Sequence, residues 1–147
     1  MLKESFVELF DRDLKKLKDE ISSFKDEKNL WKISGDIKNT AGNLCLHLCG
    51  NLNTFIGANL GHSGYVRNRE AEFSSKDISK DDLLKNIDET IESVNSSLSS
   101  IDEKDLEHIY KQNFLQKNVS TAFFLVHLIS HLNYHLGQIN YLRRMTE

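Results

Sequence analysis

Six histidines are the residues of this sequence best suited to chemistry, and three of them recur at intervals of four near the carboxyl end. His127, His131 and His135 lie in a segment whose apolar residues follow the three-and-four spacing of a helix. Residues four apart are neighbours on one face of a helix. The apolar stripe includes the positions of His131 and His135, so both imidazoles are predicted to point inward. Neutral imidazole binds Zn, Ni, Cu and Fe, so the pair indicates a metal site.

One further histidine lies in an upstream segment with helical spacing. His47 shares a predicted inward face with Leu44, Leu48 and Asn51, where polar groups need partners. Three imidazoles that converge inside a bundle can bind one metal ion, and three protein ligands leave a coordination position open, as in catalytic zinc sites. Such an ion lowers the pKa of bound water or thiol, or polarises a carbonyl. The alternative is that these histidines are hydrogen-bonded core residues.

Spacing alone does not choose the second ligand of the carboxyl-terminal segment. His131 can pair with His127 one turn before it, or with His135 one turn after it. Each four-residue step rotates the side chain by about 40°, which places residues 127 and 135 about 80° apart. All three side chains therefore cannot easily bind one ion, and both pairs remain open at this point.

Four amphipathic segments are predicted to position these residues. Apolar stripes predict helices over residues 2–26, 36–59 and 80–99, and from after Ser120, an N-cap residue, to about Arg144. Gly57 and Gly61 are predicted to end the second helix through a left-handed conformation. Proline is absent, no strand-like alternation is present, and residues 60–78 form a long connection. The sequence therefore predicts an all-α four-helix bundle with a long crossover connection, as one domain over residues 1–147.

Composition excludes several classes of protein. With 19 Lys+Arg against 22 Asp+Glu the formal charge is −3, which argues against a general nucleic-acid or anionic-membrane binder. The longest apolar run, residues 122–126, is too short to cross a bilayer. The first residues become charged too early for a signal peptide, so we expect a cytoplasmic protein. Cys45 and Cys49 lie almost opposite His47 around a helix and are expected to be buried free thiols.

The pattern H-x-x-x-H-x-G-Q, formed by His131, His135, Gly137 and Gln138, resembles the carboxyl-terminal helix of the DinB/YfiT-like superfamily. An upstream helix with one histidine, here His47, fits the same superfamily, as do the length and the helix count. The resemblance implies a four-helix bundle, often dimeric, with a three-histidine metal site.

By this resemblance the metal ligands are His47, His131 and His135, and His127 lies outside the triad. The implied ion is Zn or Ni. Members of the superfamily include bacillithiol S-transferases and mycothiol-dependent maleylpyruvate isomerase, which use the metal to bind and activate a low-molecular-weight thiol. The resemblance therefore implies a metal-dependent enzyme that transfers a thiol to or from a small molecule, and a homodimer. The alternatives are a hydrolase that uses metal-bound hydroxide, and a non-catalytic bundle that binds metal or a small ligand.

The long connection contains charged residues near its middle. Arg67 and Arg69 lie close to Glu70 and Glu72, and the simplest expectation is a solvated loop with surface ion pairs. A sharper hypothesis places one arginine at the mouth of the metal pocket, where its planar fork binds a carboxylate or phosphate of a substrate. Other residues predicted to border the ligands or the pocket are Asn51, His127 and Gln138.

Overall fold

A computed structural model describes residues 1–147 and contains five α-helices. Their bounds are α1 Leu2–Ser23, α2 Ala41–Leu52, α3 Arg69–Ser74, α4 Lys80–Ser100 and α5 Thr121–Thr146. A π-helical turn continues α2 over Asn53–Ala58, and two 3-10 turns cover Glu27–Trp31 and Glu103–Glu107. The prediction of an all-α bundle is confirmed. None of these helices combines the length and the apolar character needed to cross a membrane.

Helices α1 and α5 run parallel and are joined by two polar contacts seven residues apart on both helices. Asn133 donates to the Asp13 carboxylate at 2.7 Å, and Asn140 donates to Glu20 at 2.7 Å. The residue numbers increase together along both helices, which fixes their relative direction. Because Asp13 is fully buried, its hydrogen bonds to neighbouring donors are needed to offset the cost of removing it from water.

Helices α2 and α4 also run parallel, so the chain between them is a crossover. A Cβ at Gly57 would meet the Ser93 hydroxyl, and a Cβ at Gly61 would overlap Ser97. The prediction that these glycines end the helix through a left-handed conformation is wrong, since neither has a positive φ. Both positions are glycine because α4 approaches so closely that a side chain would not fit.

Capping side chains set where the helices begin. Ser120 Oγ accepts a hydrogen bond from the Phe123 amide, so α5 starts where the sequence predicts. Helix α2 begins at Ala41, five residues later than predicted, because Thr40 caps it by accepting from the Asn43 amide. The short helix α3 inside the crossover was not predicted.

Helix α2 lies in the middle of the bundle. Of its 12 residues, 11 are buried, so nearly every side chain on it must find its partner within the protein. Cys45 and Cys49 are both buried and free, as expected. The contact with Cys49, together with burial, raises the pKa of the Cys45 thiol, which is the behaviour of an unreactive buried cysteine.

Candidate metal centre

Three histidines from two antiparallel helices converge at the centre of the fold. His131 Nε2 on α5 lies 3.1 Å from His47 Nε2 on α2 and 3.1 Å from His135 Nε2 one turn along α5. One nitrogen from each ring lies within 4.8 Å of the other two, and no fourth His, Cys, Asp or Glu side chain joins the group. The structure therefore brings together the three residues that the superfamily resemblance selects as ligands.

Neighbouring acceptors determine which nitrogen of two rings carries hydrogen. His47 Nδ1 lies 3.1 Å from a carboxylate oxygen of Glu72, which can only accept, so Nδ1–H donates. His135 Nδ1 lies 2.7 Å from the amide oxygen of Gln138 and donates in the same way. A neutral imidazole has only one N–H, and the Nε2 atoms of both rings are therefore bare lone pairs directed at His131.

This donor set fits a divalent metal ion. Two lone pairs converge on His131 Nε2, and one N–H there cannot satisfy both with good geometry. Ligand nitrogens about 2.1 Å from a tetrahedral zinc ion lie about 3.4 Å apart, close to the observed 3.1 Å. His131 Nδ1 is buried without a hydrogen-bond partner, so this ring lacks the outer acceptor that Glu72 and Gln138 give to the other two. The three imidazoles are compatible with a divalent metal site.

Burial favours the neutral form of two of the three rings, His47 and His131. Burial, together with the other histidines, lowers the pKa of His131 to about 4. Burial also lowers the pKa of His47, although the Glu72 carboxylate opposes this effect. Metal ions bind the neutral form of histidine, so at neutral pH these two ligands need release no proton before they bind.

Glu72 is a functional residue that the sequence analysis missed. It lies on α3, is 6% exposed, and contacts His47 on the side of the ring that faces away from the other histidines. Arg67 clasps the carboxylate with two hydrogen bonds of 2.9 Å. A Cβ at Gly50 on α2 would overlap the carboxylate, so the glycine provides the space that Glu72 occupies.

The simplest expectation, a solvated loop with surface ion pairs, fits the exposed Arg69 but not Arg67, whose ion pair with Glu72 is largely buried. The Nε and Nη2 atoms of Arg67 are both engaged by Glu72, and its side chain is only 16% exposed. Arg69 packs its guanidinium over the Phe73 ring, 5.2 Å from the ring centre. The Phe73 ring in turn lies 4.9 Å from the imidazole of His47. Arg67 thus borders the site by holding a protein carboxylate.

The remaining predicted site residues fall into two groups. His127 lies outside the triad and packs against aromatic rings, 5.4 Å from Phe114 and 5.8 Å from Phe124. Gln138 borders the site directly through its hydrogen bond to His135. Asn51 is buried one turn along α2 from His47, and its side-chain oxygen has no hydrogen-bond partner.

A surface cavity of about 540 Å³ lies beside this centre, within the size range of small-molecule sites. It reaches the triad through Gln138 and through Tyr134, whose ring lies 5.3 Å from His135. None of the three histidines lines it. Its wall is formed by Ile37, Lys38, Asn39, Leu44, Tyr134, Gly137, Gln138, Tyr141, Leu142 and Met145.

Comparisons with known proteins place the chain in a family and a fold. Residues 3–147 match a family described as a protein of unknown function, DUF1572. A DinB-like protein from Bacillus cereus has a similar crystal structure, with a TM-score of 0.78, 19% identity, and coverage of 97% of this chain and 91% of that chain.

A conserved protein from Enterococcus faecalis is similar to the same degree, with a TM-score of 0.78, 18% identity, and coverage of 97% of this chain and 95% of that chain. No curated protein matches the sequence. These likenesses extend over nearly the whole chain and agree with the helical bundle. The chain belongs to the DUF1572 family and has the DinB-like fold.

Proposed function

We propose that this protein is a metal-dependent enzyme in which His47, His131 and His135 hold one divalent ion, Zn or Ni. The observation that carries the proposal is the convergence of three imidazole nitrogens, two of which carry bare lone pairs, with no fourth His, Cys, Asp or Glu ligand. A site with an open position suits catalysis better than a purely structural role.

The chemistry that we propose is the transfer of a thiol to or from a small molecule. When bound, the ion would lower the pKa of a thiol at the open position, which makes the sulfur nucleophilic at neutral pH. The protein's own residues hold the ligand rings in place, Glu72 at His47 and Gln138 at His135. The neighbouring cavity is large enough for the body of a small substrate. This chemistry comes from the superfamily resemblance. We also propose a cytoplasmic location, where small thiols are kept reduced.

Metal content is the direct test of the proposed site. We expect untagged protein, purified without chelator, to contain about one equivalent of Zn or Ni. His47→Ala, His131→Ala and His135→Ala should each abolish this content. His127→Ala is the matched control, since His127 lies on the same helix and outside the triad, and it should keep the metal. A wild type that takes up neither ion would refute the site.

Thiol binding tests the chemistry separately from the metal. A Co²⁺-substituted protein titrated with a low-molecular-weight thiol should develop a sulfur-to-metal charge-transfer band, and the three triad variants should not. If the protein binds the metal but a panel of cellular thiols produces no such band, the site stands and the thiol-transfer proposal fails.

We also propose that a second copy of the chain covers the outer face of α5. Five large apolar side chains on this face are about half exposed or more: Phe123, Val126, Tyr134, Tyr141 and Met145. Their spacing, in steps of three, four, seven or eight residues, is typical of a helix–helix contact. Sedimentation velocity should show a dimer, and Tyr141→Glu should shift it toward monomer. A wild type that remains monomeric at 100-fold differing concentrations contradicts this association.

A further inference from the structure

We propose that Glu72 is a positioning residue of the metal centre: the crossover helix α3 exists to place its carboxylate behind His47, where it fixes the ring's tautomer and strengthens Nε2 as a metal ligand. This inference rests on the proposed function. It assigns a role to α3 and to the carboxylate of Glu72, which lies 25 residues after His47 in the sequence.

The first argument is the burial of the carboxylate. A charged side chain that is 6% exposed is costly unless it is fully paired, so an accidental placement is disfavoured. The space for it is made by Gly50, three residues after His47 on α2, where any Cβ would overlap the carboxylate. A glycine within a helix is also less favourable than alanine. The buried carboxylate and the glycine within the helix are each unfavourable by themselves, and the contact between Glu72 and His47 requires both.

The second argument is the way α3 is held. Asn43 on α2 donates to the main-chain oxygens of Glu72 and Ser75, at 3.0 and 2.8 Å. Asn68 caps the start of α3 by accepting from the Ala71 amide at 3.1 Å. The main chain at Glu72 and three residues after it is thus fixed to the same helix that carries His47. A surface loop with no role at the site would not need its main chain anchored at this point.

The third argument is charge. Arg67 supplies the positive charge that compensates the buried carboxylate, through two hydrogen bonds of 2.9 Å. The Nη2 atom of Arg67 also lies 3.3 Å from His47 Nδ1. Since His47 Nδ1 donates to Glu72, the Arg67 guanidinium and the His47 N–H bind the same carboxylate. Arg67 thus gives the buried carboxylate a positively charged partner, and the carboxylate oxygens remain acceptors for His47.

The effect on the ligand follows from general metal-site chemistry. A carboxylate that accepts from the outer N–H of a ligating histidine fixes its orientation and raises its basicity, and loss of such a partner lowers metal affinity about 10- to 100-fold. Gln138 gives His135 a neutral amide oxygen in the corresponding position. Glu72 is therefore the stronger of the two outer partners, because its acceptor is charged.

The first test uses metal-free wild-type protein and nitrogen-15 NMR of the imidazole rings. We expect His47 at neutral pH to be protonated at Nδ1 and bare at Nε2, with its signals assigned by their loss in His47→Gln. In Glu72→Leu, which removes the acceptor altogether, this tautomer should no longer dominate, whereas the amide oxygen of Glu72→Gln can still accept from Nδ1–H. A wild type in which His47 carries its proton at Nε2 overturns the proposal without any use of metal.

The second test compares metal affinity by chelator competition with Zn²⁺. Glu72→Gln should bind about 10- to 100-fold more weakly. Glu70→Gln, an exposed change on the same short helix, should bind as the wild type does. Glu72→Asp, which keeps the charge and retracts it by one methylene, should be intermediate, and it serves if Glu72→Gln does not fold. Equal affinity of the Glu72 and Glu70 variants overturns this inference alone, whereas a wild type without affinity overturns it together with the proposed function.

Discussion

Replacing Gly50 by alanine tests the packing of the metal centre without touching any ligand. A Cβ at this position would overlap a carboxylate oxygen of Glu72 and lie 2.7 Å from the carboxylate carbon. The carboxylate cannot move freely, because Arg67 holds both of its oxygens and His47 donates to one of them. The added methyl group must therefore displace the whole carboxylate from at least one partner.

Two opposing effects set the magnitude. Alanine is favoured over glycine inside a helix by about 1 kcal/mol. Breaking a buried ion pair costs about 3–5 kcal/mol, since it leaves charge without compensation. The expected net loss in the free energy of unfolding of metal-free Gly50→Ala is therefore about 2–4 kcal/mol. In a chain of this length that corresponds to a fall in Tm of about 5–15 °C.

The assay is urea unfolding followed by the fluorescence of Trp31, the single tryptophan, whose ring packs against Gly42 in the folded state. The matched control is Gly137→Ala on α5, where a Cβ would meet nothing within 4 Å. There the helical preference acts alone, and stability should rise by about 1 kcal/mol. Measurement at two protein concentrations separates any effect of association on this control.

Both substitutions replace glycine by alanine. If Gly50→Ala lowers the free energy of unfolding and Gly137→Ala raises it, the difference is due to Glu72. Gly50→Ala should also weaken Zn²⁺ binding about 10- to 100-fold if the displaced carboxylate no longer supports His47. If Gly50→Ala is as stable as Gly137→Ala and keeps its metal affinity, the carboxylate does not need the space, and the reasoning on Gly50 is refuted.

Three further outcomes are expected. As the pH falls from about 6.5 to about 4, the unfolded chain takes up a proton at His131 that the folded chain does not, because burial lowers the folded pKa to about 4. The free energy of unfolding of metal-free protein should therefore fall over this range by about 1–2 kcal/mol after solvent screening, and His131→Gln should lose this part of the pH dependence in urea titrations. Asn133→Ala removes a 2.7 Å donor from the fully buried Asp13 and should destabilise the protein by about 1–3 kcal/mol in the same assay, with no change in bound metal. His127→Ala should cost about 1 kcal/mol through its lost contact with Phe114, and a larger effect on metal affinity than on stability would contradict its place outside the triad.

Features that depend on local spacing could be predicted from the sequence. The three-and-four periodicity located the four long helices, and Ser120 fixed the start of α5. The same periodicity put His131 and His135 on one inward face, and the structure brings His47 to them. The choice of His135 over His127 did not follow from spacing and required the superfamily resemblance.

Features that depend on contacts between distant segments could not be predicted. Helix α3 has six residues, too few to show a helical period, and its cap, Asn68, lies in a polar stretch that reads as a loop. The pairing of Glu72 with His47 joins residues from two elements whose relative placement is set by the crossover. For the same reason the sequence did not indicate that the guanidinium of Arg67 binds a carboxylate of the protein itself.

The glycines in and just after the second helical segment mark the positions of these contacts between distant segments. At each one a Cβ would collide with a side chain from another element: Gly42 with Trp31, Gly50 with Glu72, Gly57 with Ser93 and Gly61 with Ser97. A helix with so many glycines is weak by itself, at about 1 kcal/mol for each relative to alanine, so it must be stabilised by the elements that enter those spaces. The helix that carries His47 is thus stabilised by the elements that enter these spaces, and we expect the histidine cluster to form together with docking of the crossover. A glycine one turn from a histidine on a buried helix is therefore evidence that another chain segment approaches the histidine at that point.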